Sequence, residues 1–330
     1  MKSEPAIRTR VVIASAPDAS KARLLEPLAG VADIALSADP AELKALLPGA
    51  EVLVVGLLHE ERVLGDVWPY ARNVRWVHSL SAGVEGILLP DLVRSAVVLT
   101  NARGVFRRPL AEFALLGMLM HFRQARTLIA RQRERRWSAS EVEMLRDKVM
   151  GVVGYGEIGR ECALLAHALG MRIHALRRNP ARSAGDPIVE RAFAPRELLQ
   201  MLGGIDVLVC AAPLTSATHH LISAAAFAAM KREAFIINVG RGPVIDEAQL
   251  ARALREERIA GAALDVFEQE PLPAESPLWD MDNVLLSPHS ADNTVAPDSL
   301  QLTIDCFIRN LHRFRNGEPL ENVVDKHEGY

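Results

Sequence analysis

The sequence predicts an α/β protein of two parallel-sheet domains, one inserted into the other, and three observations predict it. Short apolar runs of strand length alternate with helix-length stretches, the pattern of βαβ units. A glycine-rich strand-to-helix turn falls near mid-chain, at Gly154–Gly159, so one α/β unit begins there and another precedes it. At 330 residues the chain is too long for one ordinary core.

In the first half, Val11–Ala14, Glu51–Val55, Val74–Val77 and Ala96–Leu99 read as strands, with helical spacing at Leu24–Leu28 and Ala41–Leu47. A boundary falls near Asn101–Gly104. Beyond it Pro109–Arg123 is a long apolar-rich helix, placed to act as a hinge, and the basic run Arg131–Arg136 is a solvated helix face. The second half resumes with the strand Val149–Val153, the helix Glu157–Leu169 and the strand Arg172–Leu176. Asp206–Cys210, Phe235–Val239, Ala262–Val266 and Val284–Leu286 follow as strands. A last helix, about Thr294–Phe314, crosses back onto the first domain. Residues 1–104 and 292–330 are thus expected to form one discontinuous domain, and 105–291 the inserted one.

Composition narrows the class. Hydrophobic residues make up 49% and charged residues 24%, the balance of a soluble globular protein. A net charge of -3 gives no reason to expect nucleic acid or an anionic membrane as partner. No apolar run approaches the roughly 20 residues of a membrane span, and Met1-Lys-Ser-Glu-Pro does not read as a signal peptide. Cys162, Cys210 and Cys306 lie far apart in apolar surroundings without metal spacing, so buried reduced thiols, no metal site and a cytoplasmic setting are expected.

The mid-chain turn carries the first chemistry. In Val149-Met-Gly-Val-Val-Gly-Tyr-Gly-Glu-Ile-Gly159, the glycines Gly154, Gly156 and Gly159 stand in G-x-G-x-x-G register. Gly154 makes the tight turn, Gly156 lets the backbone approach a pyrophosphate, and Gly159 lets helix and strand pack closely. The helix N-terminus at Glu157 and Ile158 offers amides and partial positive charge to phosphates. Such turns also occur where nothing binds. Here the strand before, the helix after and the next strand supply the context of a Rossmann-type dinucleotide site.

Three further signals each follow a strand, where an open α/β sheet presents its ligand crevice. They are Asn238-Val-Gly-Arg-Gly242, Asp265-Val-Phe-Glu-Gln-Glu-Pro271 and Ser287-Pro-His-Ser290. Arginine suits a planar two-oxygen group, because its fork donates two parallel hydrogen bonds. Histidine exchanges protons near neutral pH, and a carboxylate beside it fixes its tautomer. Taken singly, Arg241 is as readily a surface residue, His289 a turn residue and Glu270 a solvated acid. Their joint occurrence at strand ends downstream of a dinucleotide motif favours a catalytic set.

At these residues the chain resembles the D-isomer-specific 2-hydroxyacid dehydrogenases. The resemblance also runs through Ser81-Ala-Gly-Val-Glu85, Asn101-Ala-Arg-Gly104, Ala212-Pro-Leu-Thr215, Asp246-Glu-Ala-Gln-Leu250, Ala263-Leu-Asp-Val266 and Gly317–Val324. It implies that Arg241, Glu270 and His289 act together. His289 would protonate the carbonyl as hydride arrives, Glu270 would keep it charged, and Arg241 would bind the carbonyl and carboxylate oxygens. It further implies that Asp265 meets the nicotinamide carboxamide, that Ala212, Pro213, Val239 and Gly240 line the cofactor, and that the backbone at Ala82 and Gly83 binds the substrate carboxylate. A homodimer through the cofactor domains is implied as well.

Departures from the family pattern refine the reading. Arg177 and Arg178 follow the strand Arg172–Leu176, where an NAD enzyme usually carries an acid for the ribose 2′-hydroxyl, so NADP(H) is expected over NAD(H). Asp292 stands three places after His289, where small or hydroxyl residues are common, and Glu85 replaces a frequent aspartate. Trp137 falls where glyoxylate and hydroxypyruvate reductases of the family lend an aromatic to a neighbour's site. The leading expectation is a reductase of small 2-keto acids of glyoxylate or hydroxypyruvate type. Phosphite, formate or phosphoglycerate oxidation is the alternative among enzymes, although formate enzymes replace the glutamate that stands here as Glu270. A nucleotide-sensing corepressor is the alternative from another class. Substrate choice is expected to lie with loops around Leu57, Leu58 and Ser81.

Overall fold

Two parallel sheets organise the chain in the computed structural model, which describes residues 8–56, 61–293 and 298–329. Among the described residues, those up to Phe106 and those from Asp298 onward form one compact unit, and Arg107–Asn293 form the other.

The first unit alternates β1 (Thr9–Ala14), α1 (Ala19–Leu25), β2 (Ala32–Ser37), α2 (Pro40–Leu46), β3 (Val52–Val55), α3 (Glu61–Val67), β4 (Trp76–Ser79), α4 (Pro90–Arg94) and β5 (Val98–Thr100). Its strands lie in the order β2-β1-β3-β4-β5, all pairs parallel. This is the doubly wound flavodoxin-like order. Successive residues of a strand point to opposite faces, and both faces here are dry. Val12, Ala14, Leu53, Val55, Val77 and Leu99 face a cluster with Leu43, Leu47, Leu64 and Leu92. Val11, Ile13, Val52, Val54 and Trp76 face Leu25, Leu28 and the C-terminal helix Asp298–Asn316 through Ile304, Phe307 and Leu311. The chain therefore does return to the first unit at its end, and Phe307 stacks on Trp76 with ring centroids 5.6 Å apart. Residues 294–297, where the last helix was expected to start, lie outside the described residues.

Three strands depart from expectation. β4 and β5 begin two residues later than the apolar runs and end in polar residues, because His78 Nδ1 and Thr100 Oγ1 hydrogen-bond one another inside the sheet. Thr100 Oγ1 accepts from Trp76 Nε1 at 2.8 Å and lies 2.7 Å from His78 Nδ1. β2 gave no clear apolar run. It is an edge strand whose middle residues are half exposed.

The second unit opens with α5 (Arg107–Phe122) and α6 (Ala125–Arg133), separated at Gln124, whose φ of 53° ends the single helix expected over Pro109–Arg123. It continues through β6 (Val149–Val153), α7 (Glu157–Ala168), β7 (Arg172–Leu176), β8 (Val189–Phe193), α8 (Leu198–Leu202), β9 (Val207–Cys210), α9 (Ala224–Ala229), β10 (Phe235–Asn238), α10 (Glu247–Arg255), β11 (Gly261–Leu264) and β12 (Val284–Leu286). The order β12-β11-β10-β9-β6-β7-β8 is that of a Rossmann sheet extended by one strand, with its switch point between β6 and β9. β8, a polar edge strand, was not anticipated. α8, α9 and α10 cover one face through Leu198, Met201, Phe227, Leu250 and Leu254. α5 comes so close to β11 that a Cβ on Gly117 would stand 2.7 Å from the Ala263 methyl. All three cysteines are buried and unbridged. Among the described residues, no helix is long and apolar enough to cross a membrane.

Candidate active site

The glycine turn is shaped by contacts within the second unit. β6 is buried at every position and is followed by Gly154, whose φ of 88° strains any residue with a Cβ. A Cβ on Gly159 would stand 2.4 Å from the Gly154 carbonyl oxygen, so α7 can start this close to the strand only with glycine there. Gly156, at the start of α7, meets nothing within 4 Å of its Cβ position. The turn is thus closed where the chain packs and open at the one glycine assigned to a pyrophosphate. The amides of Glu157 and Ile158 precede the first intrahelical hydrogen bonds and remain to serve a ligand. These residues fit a dinucleotide.

Beyond β7 stand Arg177 and Arg178 in place of an acid. The Arg177 guanidinium lies 5.8 Å from the centroid of the Tyr155 ring and donates to Ser183 Oγ at 3.2 Å. The Tyr155 hydroxyl donates to Asp186, which also accepts from Arg160 Nε at 2.8 Å, and the Arg160 hydrogen bond holds Asp186 below the usual carboxylate range. The Asp186 carboxylate is therefore already paired with another arginine.

The remaining candidates of this unit sit at the carboxyl ends of β9 to β12. Ala212 and Pro213 follow β9, and a Cβ on Gly240 would stand 2.8 Å from the Ala212 carbonyl oxygen, so the loops after β9 and β10 lie against one another. Asn238, 1% exposed, pins the second loop: its Oδ1 accepts from Gly240 N and its Nδ2 donates to the Arg241 carbonyl, both at 3.1 Å. The loops after β10 and β11 are in closer contact still, with a Cβ on Gly242 placed 1.9 Å from the Phe267 carbonyl oxygen.

His289 and Glu270 meet there. His289 Nδ1 lies 2.7 Å from Glu270 Oε2, while Glu270 Oε1 accepts from Phe267 N at 2.9 Å. Both side chains are about one-third exposed, at 32% and 34%, so a small ligand can reach them. The hydrogen bond to Glu270 raises the His289 pKa above its ordinary value, against the opposing effect of burial. Burial works to raise Glu270, but the hydrogen bonds from His289 and Phe267 outweigh it and hold the carboxyl below its usual range. With Nδ1 facing a carboxylate, Nε2 is the ring nitrogen left to exchange a proton.

The turn that carries His289 is wound around Asp265, which is 1% exposed. Asp265 Oδ1 accepts from Ser287 Oγ at 2.6 Å and from the amides of Ser290 and Ala291 at 2.9 Å each. His289 itself takes a left-handed φ of 51°. Asp265 was expected to face a cofactor, and its hold on the histidine turn is a role that the sequence reading missed. Asp292 closes the same turn half-buried. Burial and then the Asp265 carboxylate raise its pKa, with His289 opposing. Among the described residues no group of three or more His, Cys, Asp or Glu side chains could hold a metal ion.

In the first unit, the loop after β4 carries the other expected substrate contacts. Ala82 is half-buried, its carbonyl accepting from Asn101 Nδ2 at 2.6 Å, and Ser81 O accepts from Ala102 N at 3.0 Å. Gly83 is likewise half-buried, whereas Leu57 and Leu58 lie outside the described residues. Trp137, in the second unit, is fully exposed.

Residues 115–291 match the family model of the D-isomer specific 2-hydroxyacid dehydrogenase NAD binding domain. The chain belongs to this family. Among curated relatives, a glyoxylate reductase of Korarchaeum cryptofilum is 31% identical over 270 residues, covering 79% of each chain. Among solved structures, an NADPH-dependent glyoxylate/hydroxypyruvate reductase from Sinorhizobium meliloti, in complex with NADP and sulfate, aligns with a TM-score of 0.83 and 29% identity over 98% of this chain and 100% of that one. A D-isomer specific 2-hydroxyacid dehydrogenase from Xanthobacter autotrophicus, in complex with NADPH and MES, aligns with a TM-score of 0.81 and 32% identity over the same shares. The oxidoreductase class of the D-2-hydroxyacid dehydrogenases and their nicotinamide cofactor thus agree with the glycine turn and the strand-end residues described above.

Proposed function

We propose that this chain reduces a small 2-keto acid, of glyoxylate or hydroxypyruvate type, to the D-2-hydroxy acid, with NADP(H) preferred over NAD(H). The observation that carries the reading is the His289–Glu270 pair at 2.7 Å, at strand ends of the sheet that bears the glycine turn. When bound, the reduced nicotinamide supplies the hydride that the keto carbon accepts. His289 gives its Nε2 proton to the carbonyl oxygen, and a neutral hydroxyl forms. Glu270 keeps the imidazole charged beforehand and stabilises its orientation through Nδ1. Arg241 binds the carbonyl and carboxylate oxygens through its fork of donors. Charge builds on the carbonyl oxygen only as reduction proceeds, so a cationic donor there favours the transition state over the substrate.

Gly154, Gly156, Gly159 and the amides of Glu157 and Ile158 hold the pyrophosphate in this reading, and Arg177 with Arg178 holds the 2′-phosphate. Ala212, Pro213, Val239, Gly240 and Asp265 line the nicotinamide side, and the Ala82–Gly83 backbone takes the substrate carboxylate. The names of the relatives, glyoxylate reductase and NADPH-dependent glyoxylate/hydroxypyruvate reductase, support this choice of substrate and coenzyme. Exposed Leu116, Leu119, Leu128 and Ile129 on α5 and α6 support a homodimer through the second unit, which light scattering of the eluted protein tests. The deciding experiment is a panel of glyoxylate, hydroxypyruvate, oxaloacetate and 3-phosphohydroxypyruvate, each with NADPH and NADH. Saturable turnover of a keto acid is expected. Nucleotide binding with no turnover of any acid would instead mark a corepressor-like protein.

A further inference from the structure

A second set of acids lies behind the catalytic pair, in the same unit. Glu247 is the first residue of α10 and Glu268 lies two places before Glu270. The two clasp one another in both directions: Glu268 N donates to Glu247 Oε2 at 3.0 Å, and Glu247 N donates to Glu268 Oε1 at 3.1 Å. His220 braces the clasp from a third segment, its Nε2 standing 2.7 Å from Glu268 Oε1 and its Nδ1 4.0 Å from Asp246 Oδ2. The loop so held runs directly into Glu270, which it also grips from within through Phe267 N.

We propose that Glu247, through this two-way clasp with Glu268, is a positioning residue that fixes the place of Glu270 and thereby its hold on His289. The inference rests on the reading of His289 as the proton donor. The physical reason is the short lever between the clasp and the catalytic carboxylate. A hydrogen bond between Glu270 and the imidazole requires the loop to be set within a fraction of an ångström, and the clasp ties that loop to a helix end. It is retained against an electrostatic cost. Burial pushes the Glu247 carboxyl above its usual range, and the charges of Glu268 and Glu270 add to the shift, against the amide hydrogen bond from Glu268. The charged groups about His289 are Glu270, Asp265, Asp292 and Arg241. Those about Glu247 are Glu268 and Glu270, with His220 beside Glu268 and Asp246 beside His220.

The test compares the full chain with Glu247→Ala, Glu247→Gln and Glu268→Ala by two readouts. One is kcat for glyoxylate reduction with NADPH. The other is the titration midpoint of the His289 ring, followed by NMR of histidine-labelled protein without cofactor. Both alanine variants are expected to lose about 10- to 100-fold in kcat, the scale of a slightly misplaced reacting group, and to lower the His289 midpoint, with NADPH affinity unchanged. Glu247→Gln keeps an oxygen that accepts from Glu268 N, and is expected to retain most of the kcat. A wild-type midpoint and kcat in Glu247→Ala overturn the proposal. So does a loss of kcat with an unmoved midpoint, or a glutamine variant as impaired as the alanine one. The reading of His289 as donor fails separately, if His289→Ala reduces glyoxylate at the wild-type rate, and the midpoint still judges the clasp in that event.

Discussion

Asp265 holds His289 by main chain and side chain together. The His289 amide donates to the Asp265 carbonyl at 2.8 Å, while the Asp265 carboxylate accepts from Ser290 and Ala291, the two residues that follow. The histidine is thereby kept in a left-handed conformation at the end of a sheet, with its ring against Glu270.

Removing the aspartate should release the turn. Asp265→Ala leaves the part-buried amides of Ser290 and Ala291 without their acceptor, at a cost of up to about 1–3 kcal/mol for each donor left unpaired. Keto-acid kcat should fall by about 100-fold, accompanied by a lower midpoint in urea denaturation. A variant with wild-type stability and kcat would show that the turn holds itself.

The pH dependence follows from the sign of the His289 shift. In the proposed reaction, reduction needs imidazolium, and the His289 pKa is raised, so kcat/KM should be full at acid pH and fall as pH rises through a value above about 6.5. Glu270→Gln should carry that fall to lower pH while leaving NADPH binding intact, because the neutral amide no longer favours the charged ring. His289→Ala should lose about 100-fold or more. pH–rate profiles of the three proteins check both claims.

Asp292 should select against a second negative charge on the substrate. Two unit charges about 4–8 Å apart repel by about 0.5–4 kcal/mol, depending on the effective dielectric, so glyoxylate and hydroxypyruvate should be favoured over oxaloacetate and 3-phosphohydroxypyruvate. The Asp292 pKa is raised, so discrimination should weaken as pH falls and the carboxylate takes up a proton. Asp292→Ser should improve the doubly charged acids most. A doubly charged acid that is the best substrate and gains nothing from the change would refute the assignment.

Coenzyme choice should turn on Arg177. One charge-assisted hydrogen bond to a 2′-phosphate contributes about 1.5–3 kcal/mol, or about 10- to 150-fold in affinity. Arg177→Asp should raise KM for NADPH far more than for NADH, and the wild-type preference should weaken with salt. Equal wild-type kcat/KM for the two coenzymes would rule it out.

The three glycines should separate by what they touch. Gly156→Ala meets open space, so its melting temperature should stay near wild type while Kd rises for both coenzymes. Gly159→Ala drives a methyl into the Gly154 carbonyl and should lower both stability and affinity. Calorimetry and coenzyme titration of the pair decide it.

The parts of this protein legible in the sequence are those whose cause is local. The interior strands β1, β3, β6, β7, β9 and β10 read as apolar runs because both faces of each are buried, and the strain at Gly154 belongs to one turn. The edge strands β2 and β8 were hidden, since residues half exposed to solvent carry no continuous apolar signal. β4 and β5 were displaced because the polar residues His78 and Thr100 near their ends meet only across the sheet, over the 22 positions that separate them.

The same division runs through the candidate site. Arg241, Glu270 and His289 stand out in sequence as the right residue types after strands, and the family resemblance names their expected roles. The resemblance implied that Glu270 serves His289, and the structure sets the two 2.7 Å apart across 19 positions. Tertiary structure alone decided that Asp265 winds the histidine turn across 25 and that Glu247 clasps Glu268 across 21. Parallel strands bring their carboxyl ends together whatever the chain length between them, so these contacts arise from sheet order and loop packing, which no short stretch of sequence encodes.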